Sequence, residues 1–150
     1  SSKKPTIVFI GDASVEEDYV LASLSWVAKK DLPILFVVED NNLAILTKKT
    51  DRRDWNILDV AKSFKIKSFE TKDNPKEILK TLSKNIFKGP QLINIHTNRL
   101  YWHIGAGKDG DKVFDRLKNE IKILGRTGQL IDDKIKKSVE KLWKKNSEKL

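Results

Sequence analysis

Two continuous apolar runs most constrain what this chain can fold into. They are residues 7–10, which end at Gly11, and residues 34–38, which end in a cluster of acidic and amide side chains. Apolar runs without alternation are typical of parallel strands that are buried on both faces. A segment with helical apolar periodicity separates them, so the sequence predicts a strand–helix–strand unit.

The segment between the two runs has the features of a helix that ends near Asp31. We expect Ser14 to cap its start, with acidic side chains in the first turn where the helix dipole favours them. Val20, Leu24 and Val27 form one apolar stripe, widened by Leu21 and Ala28.

The rest of the chain continues to alternate strands and helices. Asn74 is the expected cap and Pro75 the first residue of one of these helices. The predicted elements up to residue 70 are a short apolar segment at 43–46, a charged mobile loop at 48–54, a helix at 55–64 with Ile57, Leu58 and Ala61 inward, and an edge strand at 67–70. The helix that begins at Pro75 has Ile78, Leu79, Leu82 and Ile86 on its inner face. It is followed by a core strand at 91–96, a loop at 97–110, and basic amphipathic helices at 112–124 and 132–145.

This order predicts a doubly wound α/β fold, with a mainly parallel sheet, helices on both faces and a closing C-terminal helix pair. The 150 residues suffice for one domain, residues 1–150, with one core. Ligands of such sheets bind beyond the carboxyl ends of the strands. Asp12, Asn41 and the 97–110 loop all follow strands, so we expect them at one edge of the sheet.

Composition excludes several classes of protein. No apolar run approaches the roughly 20 residues of a membrane span, and the absence of cysteine excludes disulfides and thiolate sites. The net charge is +9, but its lysines are spread along the chain without interleaved aromatic residues, which disfavours a nucleic-acid partner. We expect a cytoplasmic protein. Since methionine is absent even at position 1, we also expect a piece of a longer chain.

Asp12 and Asn41 are the candidate metal ligands. Mg²⁺ prefers oxygen ligands and keeps phosphate and water among them, and a carboxylate with an amide and a backbone carbonyl leaves room for a diphosphate. Backbone N–H groups of Ala13 and Ser14 at the helix start are candidate phosphate donors. Asp and Asn are also the usual turn residues, and spacing alone favours that simpler explanation.

The sequence GDASVEEDYVLASLSWVAKKDLPILFVVEDNNLAILT resembles the thiamine-diphosphate motif of the α subunit of 2-oxo acid dehydrogenases, which act on pyruvate, branched-chain 2-oxo acids or acetoin. The family has Gly-Asp-Gly, a helix, Leu-Pro, an apolar strand and Glu-Asn-Asn at the same spacing. The segments LDVAKSFKI, GPQLINIHTNRLYWHIGAG and DRLKNEIKILGRTGQLIDDKIKKSVEKLW resemble later parts of that subunit in order. The resemblance covers nearly the whole chain.

The resemblance implies a set of site residues. The Mg²⁺ ligands would be Asp12, Asn41 and the carbonyl of Leu43. The diphosphate would lie against the turn made by Gly11, Ala13 and Ser14. His103 would be the catalytic histidine near the cofactor phosphate, whereas a lone loop histidine does not by itself distinguish a surface from a site. Secondary candidates are Arg99, which would order the loop through a carboxylate or reach phosphate, and Trp102, which would pack the loop or line the pocket. His96 is expected to be a strand residue.

The resemblance also implies a function and partners. The reaction would be oxidative decarboxylation of a 2-oxo acid, with the acyl group passed to the lipoyl arm of an acyltransferase. The chain would need a β subunit, in a heterotetramer, and would be inactive alone. The specific 2-oxo acid is not specified by these residues.

The chain departs from the family pattern at four positions. Ala13 replaces a glycine, which we expect to restrict the turn, and Asp40 replaces an asparagine. Leu43 replaces a tyrosine, and Ala22 replaces a helix glutamate. Two alternatives therefore stay open: another thiamine-diphosphate enzyme, either transketolase-like or a non-oxidative decarboxylase, and a degenerate structural subunit without catalysis.

Overall fold

A computed structural model describes residues 4–82, 86–104 and 114–148. Internal contacts divide the chain into two compact units, residues 1–113 and 114–150. The strands of the first unit are β1 Thr6–Gly11, β2 Ile34–Asp40, β3 Leu43–Ala44, β4 Thr47–Lys48, β5 Lys67–Lys72 and β6 Gln91–His96. Its helices are α1 Asp18–Lys30, α2 Ile57–Ser63 and α3 Pro75–Leu82, and the second unit holds α4 Arg116–Leu124 and α5 Arg126–Ser147.

Four strands form a parallel sheet in the order β1-β2-β6-β5. The register pairs Gly11 with Glu39 between β1 and β2, and Asp40 with His96 between β2 and β6. All four strands therefore end at one edge, as the alternation of strands and helices predicts. The short strands β3 and β4 form a separate antiparallel hairpin directly after β2.

The core lies on both faces of the two central strands. Successive side chains of a strand point to opposite faces. Phe36 and Val38 pack with helices α1 and α2 on one face, while Leu35 and Val37 pack towards α3 on the other. The predicted α/β fold with helices on both faces is confirmed, and so are the inward positions of Ile57, Leu58 and Ala61.

The prediction that the first strand is buried on both faces is wrong for the described residues. β1 is an edge strand, and Ile7 and Phe9 are 48% and 66% exposed. An apolar run shows only that the side chains of one strand are apolar, whereas their burial depends on which other elements pack against them. Leu79, predicted on the inner face of α3, is 70% exposed for the same reason, while Ile78 and Leu82 do pack on the sheet.

Of two helix caps predicted in the first unit, one is wrong and the other is confirmed. Residues Ser14–Glu16 form a single 3₁₀ turn, and α1 begins at Asp18 after Glu17, so Ser14 does not cap it. Asn74 does cap α3, since its side chain accepts from the N–H groups of Lys76 and Glu77. The predicted helix extends further, but residues 83–85 lie outside the described ranges.

The second unit is a pair of helices that meet at a glycine. α5 begins at Arg126, six residues before the predicted start at Asp132, with Gly125 between the two helices in the left-handed φ region. Gly128 is buried, and a Cβ there would lie 2.8 Å from the carbonyl oxygen of Ile121. The close approach of α5 to α4 therefore requires a residue without a side chain. The predicted Val113 lies outside the described residues. None of the helices within the described ranges is long and apolar enough to cross a bilayer.

We expect Gly128→Ala to loosen the α4–α5 pair. Alanine favours helix by about 1 kcal/mol over glycine, but overpacking against a backbone oxygen costs about 1–3 kcal/mol. Hydrogen exchange of the two helices in the full chain should therefore become faster. Thr127→Ala, at an exposed neighbouring position of the same helix, is the matched control and should leave exchange unchanged. Slower exchange in Gly128→Ala would contradict the proposed contact.

Candidate functional site

The carboxyl edge of the sheet places Asp12 beside the end of β2. The N–H of Asp12 donates to the carbonyl of Glu39 at 3.3 Å, which continues the pairing of β1 with β2 by one residue. Asp40 and Asn41 follow directly on the neighbouring strand. Two residues that are 29 positions apart in the sequence are thus brought to one edge, as predicted.

Asp12 is a buried carboxylate held by an arginine. Its side chain is 2% exposed, and its Oδ2 accepts from Nη2 of Arg52 at 2.8 Å. The other terminal nitrogen of Arg52, Nη1, donates to Oε1 of Glu16 at 2.6 Å. Burial, followed by the nearby carboxylate of Asp40, raises the pKa of Asp12 above its ordinary value, although Arg52 opposes the shift.

Asp40 is the second buried carboxylate of this edge. Its Oδ2 forms an ion pair with Nζ of Lys49 and accepts from Nδ2 of Asn94 at 3.2 Å, and its Oδ1 accepts from the N–H of Asn42. Burial acts to raise the pKa of Asp40, but these hydrogen bonds and the ammonium outweigh it, so the pKa lies below its usual value. Asp40 therefore orders the chain around Asn41.

Asn41 and Leu43 form the start of the β3–β4 hairpin. The amide oxygen of Asn41 accepts from the N–H of Leu43 at 3.0 Å, which is an Asx turn. The simpler explanation for Asn41, a turn residue, is thus part of the structure. An amide oxygen has two lone pairs, so the turn leaves it able to bind a cation as well.

The turn after β1 contains the remaining predicted phosphate-binding residues. Ala13 has φ −78° and ψ −38°, which any residue adopts. The expectation that an alanine here restricts the turn is therefore wrong. A Cβ on Gly11 would meet its nearest neighbour, Oγ of Ser14, at 3.8 Å, an ordinary contact. The exposed Gly11 and Ser14 and the half-buried Ala13 thus surround the buried Asp12 at the edge.

His103 lies beside the tip of the hairpin. With Trp102, Ile104, Ile45 and Leu46 it lines an apolar cavity of about 280 Å³, and its side chain is exposed. Among the described residues, no hydrogen bond or ion pair joins His103 to Asp12, and Asp12 does not line this cavity. The rest of the predicted loop, residues 105–110, lies outside the described part of the chain.

Two other predicted residues have definite contacts. Arg99 donates through Nη1 to the carbonyl oxygen of Ile45 at 2.7 Å, which ties the loop after β6 to the hairpin. His96 is a residue of the exposed end of β6, with Nε2 at 2.8 Å from Oε1 of Glu70. His96 is therefore a strand histidine, as expected.

Sequence reasoning missed the basic side chains that hold this edge. Residues 48–54 were expected to be a mobile charged loop, but they contain a 3₁₀ turn, Lys49–Asp51, followed by Arg52 and Arg53. Arg52 binds Asp12, Lys49 binds Asp40, and Nε of Arg53 lies 3.4 Å from Oε1 of Glu16. The available signal was two adjacent arginines in a chain whose cations are mostly lysine.

The oxygen atoms at this edge fit Mg²⁺ in type. A buried carboxylate, an amide oxygen and the backbone of the hairpin lie at one edge, and a second buried carboxylate adds negative charge. Within the described residues, no group of three or more His, Asp or Glu side chains is placed to hold a metal, so backbone and diphosphate oxygens would complete the set. Arg52 already binds Oδ2 of Asp12, and a metal that uses this oxygen must displace it.

The fold of the chain is similar to that of solved transketolase structures. Two solved structures with a similar fold are the transketolases of Campylobacter jejuni subsp. jejuni NCTC 11168 and Leishmania mexicana. The first has a TM-score of 0.55 and 17% identity, and the match covers 63% of this chain and 16% of that one. The second has a TM-score of 0.55 and 16% identity, with 62% and 15% covered. The chain thus spans about a sixth of their length.

The family follows from the sequence. The family model for the dehydrogenase E1 component matches residues 1–145. The chain therefore belongs to the dehydrogenase E1 component family, whose enzymes depend on thiamine diphosphate. No curated protein matches it.

Proposed function

We propose that this chain is the thiamine-diphosphate- and Mg²⁺-binding part of the α subunit of a 2-oxo acid dehydrogenase. The observation that carries the proposal is the position of Asp12 and Asn41, which follow neighbouring parallel strands within a chain that matches the E1 family model. Parallel sheets bind ligands at this edge.

In this proposal each residue of the edge has a defined task. Asp12, Asn41 and the carbonyl of Leu43 would hold Mg²⁺, which would neutralise the negative charge of the diphosphate. The turn at Gly11, Ala13 and Ser14 lies against the phosphate oxygens. When bound, thiamine diphosphate supplies the carbanion chemistry that removes carbon dioxide from a 2-oxo acid.

The remaining tasks need groups outside the edge. His103 is proposed to donate a hydrogen bond to phosphate or to the reacting group, which requires the loop after β6 to bring it closer to Asp12. The acyl group would pass to the lipoyl disulfide of an acyltransferase. The two electrons left on the substrate carbon by loss of carbon dioxide would break the S–S bond, so that one sulfur becomes the thioester and the other a thiol. A β subunit completes the site in a heterotetramer, and this chain alone is proposed to be inactive.

Calorimetry of thiamine diphosphate binding tests the proposal. The protein is purified with the subunit that accompanies it and is titrated in Mg²⁺ and in EDTA. We expect saturable binding that depends on Mg²⁺, followed by release of carbon dioxide from 2-oxo acids with an artificial electron acceptor. Absence of binding would refute the cofactor assignment. Binding with sugar-phosphate ketol transfer instead of decarboxylation would favour a transketolase-like enzyme.

The ion pair between Arg52 and Asp12 favours a second candidate, a structural subunit without catalysis. An arginine that permanently neutralises Asp12 would replace the metal and leave the edge without a cofactor. The two candidates differ in one observable property: in the structural subunit Mg²⁺ has no effect on thermal stability, whereas in the enzyme it raises the melting temperature.

A further inference from the structure

The turn that carries Asn41 and the carbonyl of Leu43 has little regular structure of its own. We name residues 41–43 the ligand turn. It leads into a hairpin of two two-residue strands, β3 and β4, and a hairpin of this size is marginal by itself. Asn42, between the two proposed ligands, has a left-handed φ of +65°, which asparagine tolerates better than most residues. The position of the ligand turn therefore depends on contacts with other residues.

Lys49, the residue after β4, contacts both residues that flank Asn41. Its backbone N–H donates to the carbonyl of Asn42 at 3.1 Å, and its Nζ forms an ion pair with Oδ2 of Asp40. The carboxylate of Asp40 also accepts from the N–H of Asn42, through Oδ1 at 3.0 Å. Lys49, Asp40 and Asn42 thus form a closed set of contacts around Asn41.

Asp40 joins this set of contacts to the sheet. Its side chain is 2% exposed, and its Oδ2 accepts a further hydrogen bond from Nδ2 of Asn94 on β6 at 3.2 Å. The backbone carbonyl of Asp40 accepts from the N–H of Thr97 at 2.8 Å. The side chain of Lys49 is less buried, at 28% exposure. Removal of its ammonium would leave Asp40 with the hydrogen bonds from Asn42 and Asn94, so the sheet itself should stay intact.

We propose that Lys49 is a positioning residue of the metal site. Through its contacts with Asp40 and Asn42, it holds the ligand turn at the carboxyl edge of the sheet. The inference rests on the proposed function, because it concerns the geometry of the proposed Mg²⁺ ligands. Lys49 acts in this role through its neighbours and is not itself a ligand of the metal or of the diphosphate.

Charge and position predict opposite effects of Lys49→Met on the metal. The substitution removes a positive charge near the proposed Mg²⁺ site, so electrostatics alone would strengthen Mg²⁺ binding. Loss of the ion pair instead frees the ligand turn. Removal of an outer partner of a metal ligand typically weakens metal binding by about 10–100-fold. We expect the loss of position to prevail, with an affinity for Mg²⁺ about tenfold lower.

Two measurements on the protein, purified with the subunit that accompanies it, test the proposal. Hydrogen exchange of residues 41–49, in EDTA and without thiamine diphosphate, measures the hold on the ligand turn and needs no ligand. Calorimetry of thiamine diphosphate at a series of Mg²⁺ concentrations measures the affinity for the metal. In Lys49→Met we expect faster exchange at 41–49, unchanged exchange in β6, and an about tenfold higher Mg²⁺ concentration at half-maximal binding.

Three further variants separate position from charge. Lys49→Arg keeps a cation that can pair with Asp40, and it should restore both exchange and Mg²⁺ dependence towards the wild type. Lys48→Met makes the same change in charge at an exposed neighbouring position and should behave as the wild type does. In an Asp40→Asn background, Lys49→Met should add little, because the effect of its side chain passes through Asp40.

Unchanged or stronger Mg²⁺ binding in a folded Lys49→Met protein would overturn this role and leave the proposed function intact. Weaker cofactor binding with unchanged exchange at 41–49 would also overturn it, since Lys49 would then bind the diphosphate directly. Absence of binding by the wild type would refute the proposed function and this role together. If Lys49→Met does not fold, Lys49→Gln removes the same charge from a side chain that keeps a donor, and the same outcomes apply to it.

Discussion

Asp12→Ala is expected to abolish Mg²⁺-dependent binding of thiamine diphosphate. Asp12 is the charged member of the proposed metal ligands, and its carboxylate is buried at the strand end, near that of Asp40. Removal of an outer partner of a metal ligand already costs about 10–100-fold in affinity. We therefore expect a loss of at least about 100-fold for the ligand itself, measured by calorimetry at saturating Mg²⁺.

Two further variants separate this effect from a loss of fold. Asp12→Asn keeps an oxygen that can accept from Arg52, and it should remain folded by circular dichroism while binding the cofactor weakly. Glu17→Ala removes an exposed acid from the same turn region and should bind as the wild type does. Unchanged affinity in a folded Asp12→Ala protein would place the metal elsewhere.

Arg52→Gln is expected to have opposite effects on stability and on metal binding. Without Mg²⁺ the variant leaves the buried carboxylate of Asp12 without its cation. Breaking such a pair costs about 3–5 kcal/mol when it is fully buried, and Arg52, at 12% exposure, is close to that case. The melting temperature in EDTA should fall clearly below that of the wild type.

In Mg²⁺ the same variant should regain thermal stability. The metal no longer competes with the guanidinium for Oδ2 of Asp12, so we expect its affinity to rise about tenfold, which is about 1.4 kcal/mol. The measurement is the increase in melting temperature with Mg²⁺ concentration, compared between Arg52→Gln and wild type. Lys48→Gln, which removes an exposed cation nearby, controls for the change in net charge. Equal responses to Mg²⁺ in Arg52→Gln and wild type would show that Arg52 and the metal do not share a site.

The parts of the fold that the sequence predicted are those set by local rules. The core of β2 is a continuous apolar run, and Asn74, followed by Pro75, begins α3 through hydrogen bonds of its own side chain. The exposure of Phe9 and Leu79 was not predictable, because it depends on which distant elements cover each face. The early start of α5 was missed because Gly128 disfavours a helix locally and is required by the contact with α4.

The sequence predicted the oxygen-bearing residues of the candidate site, but not the basic side chains that bind them. Asp12 and Asn41 follow strands, and strand ends meet in a parallel sheet, so their proximity follows from the pattern. Arg52 acts on a residue 40 positions earlier, and Arg53 on one 37 positions earlier, across a turn that the sequence does not define. Such ion pairs depend on the tertiary fold, which a local pattern does not contain.

Glu16 connects two arginines, since its Oε1 lies within ion-pair distance of both Arg52 and Arg53. Arg52 also binds Asp12, so the proposed metal ligand is linked to the buried guanidinium of Arg53 through one carboxylate. A cation that displaces Arg52 from Asp12 would therefore change the charge balance around Arg53, a residue outside the proposed metal ligands.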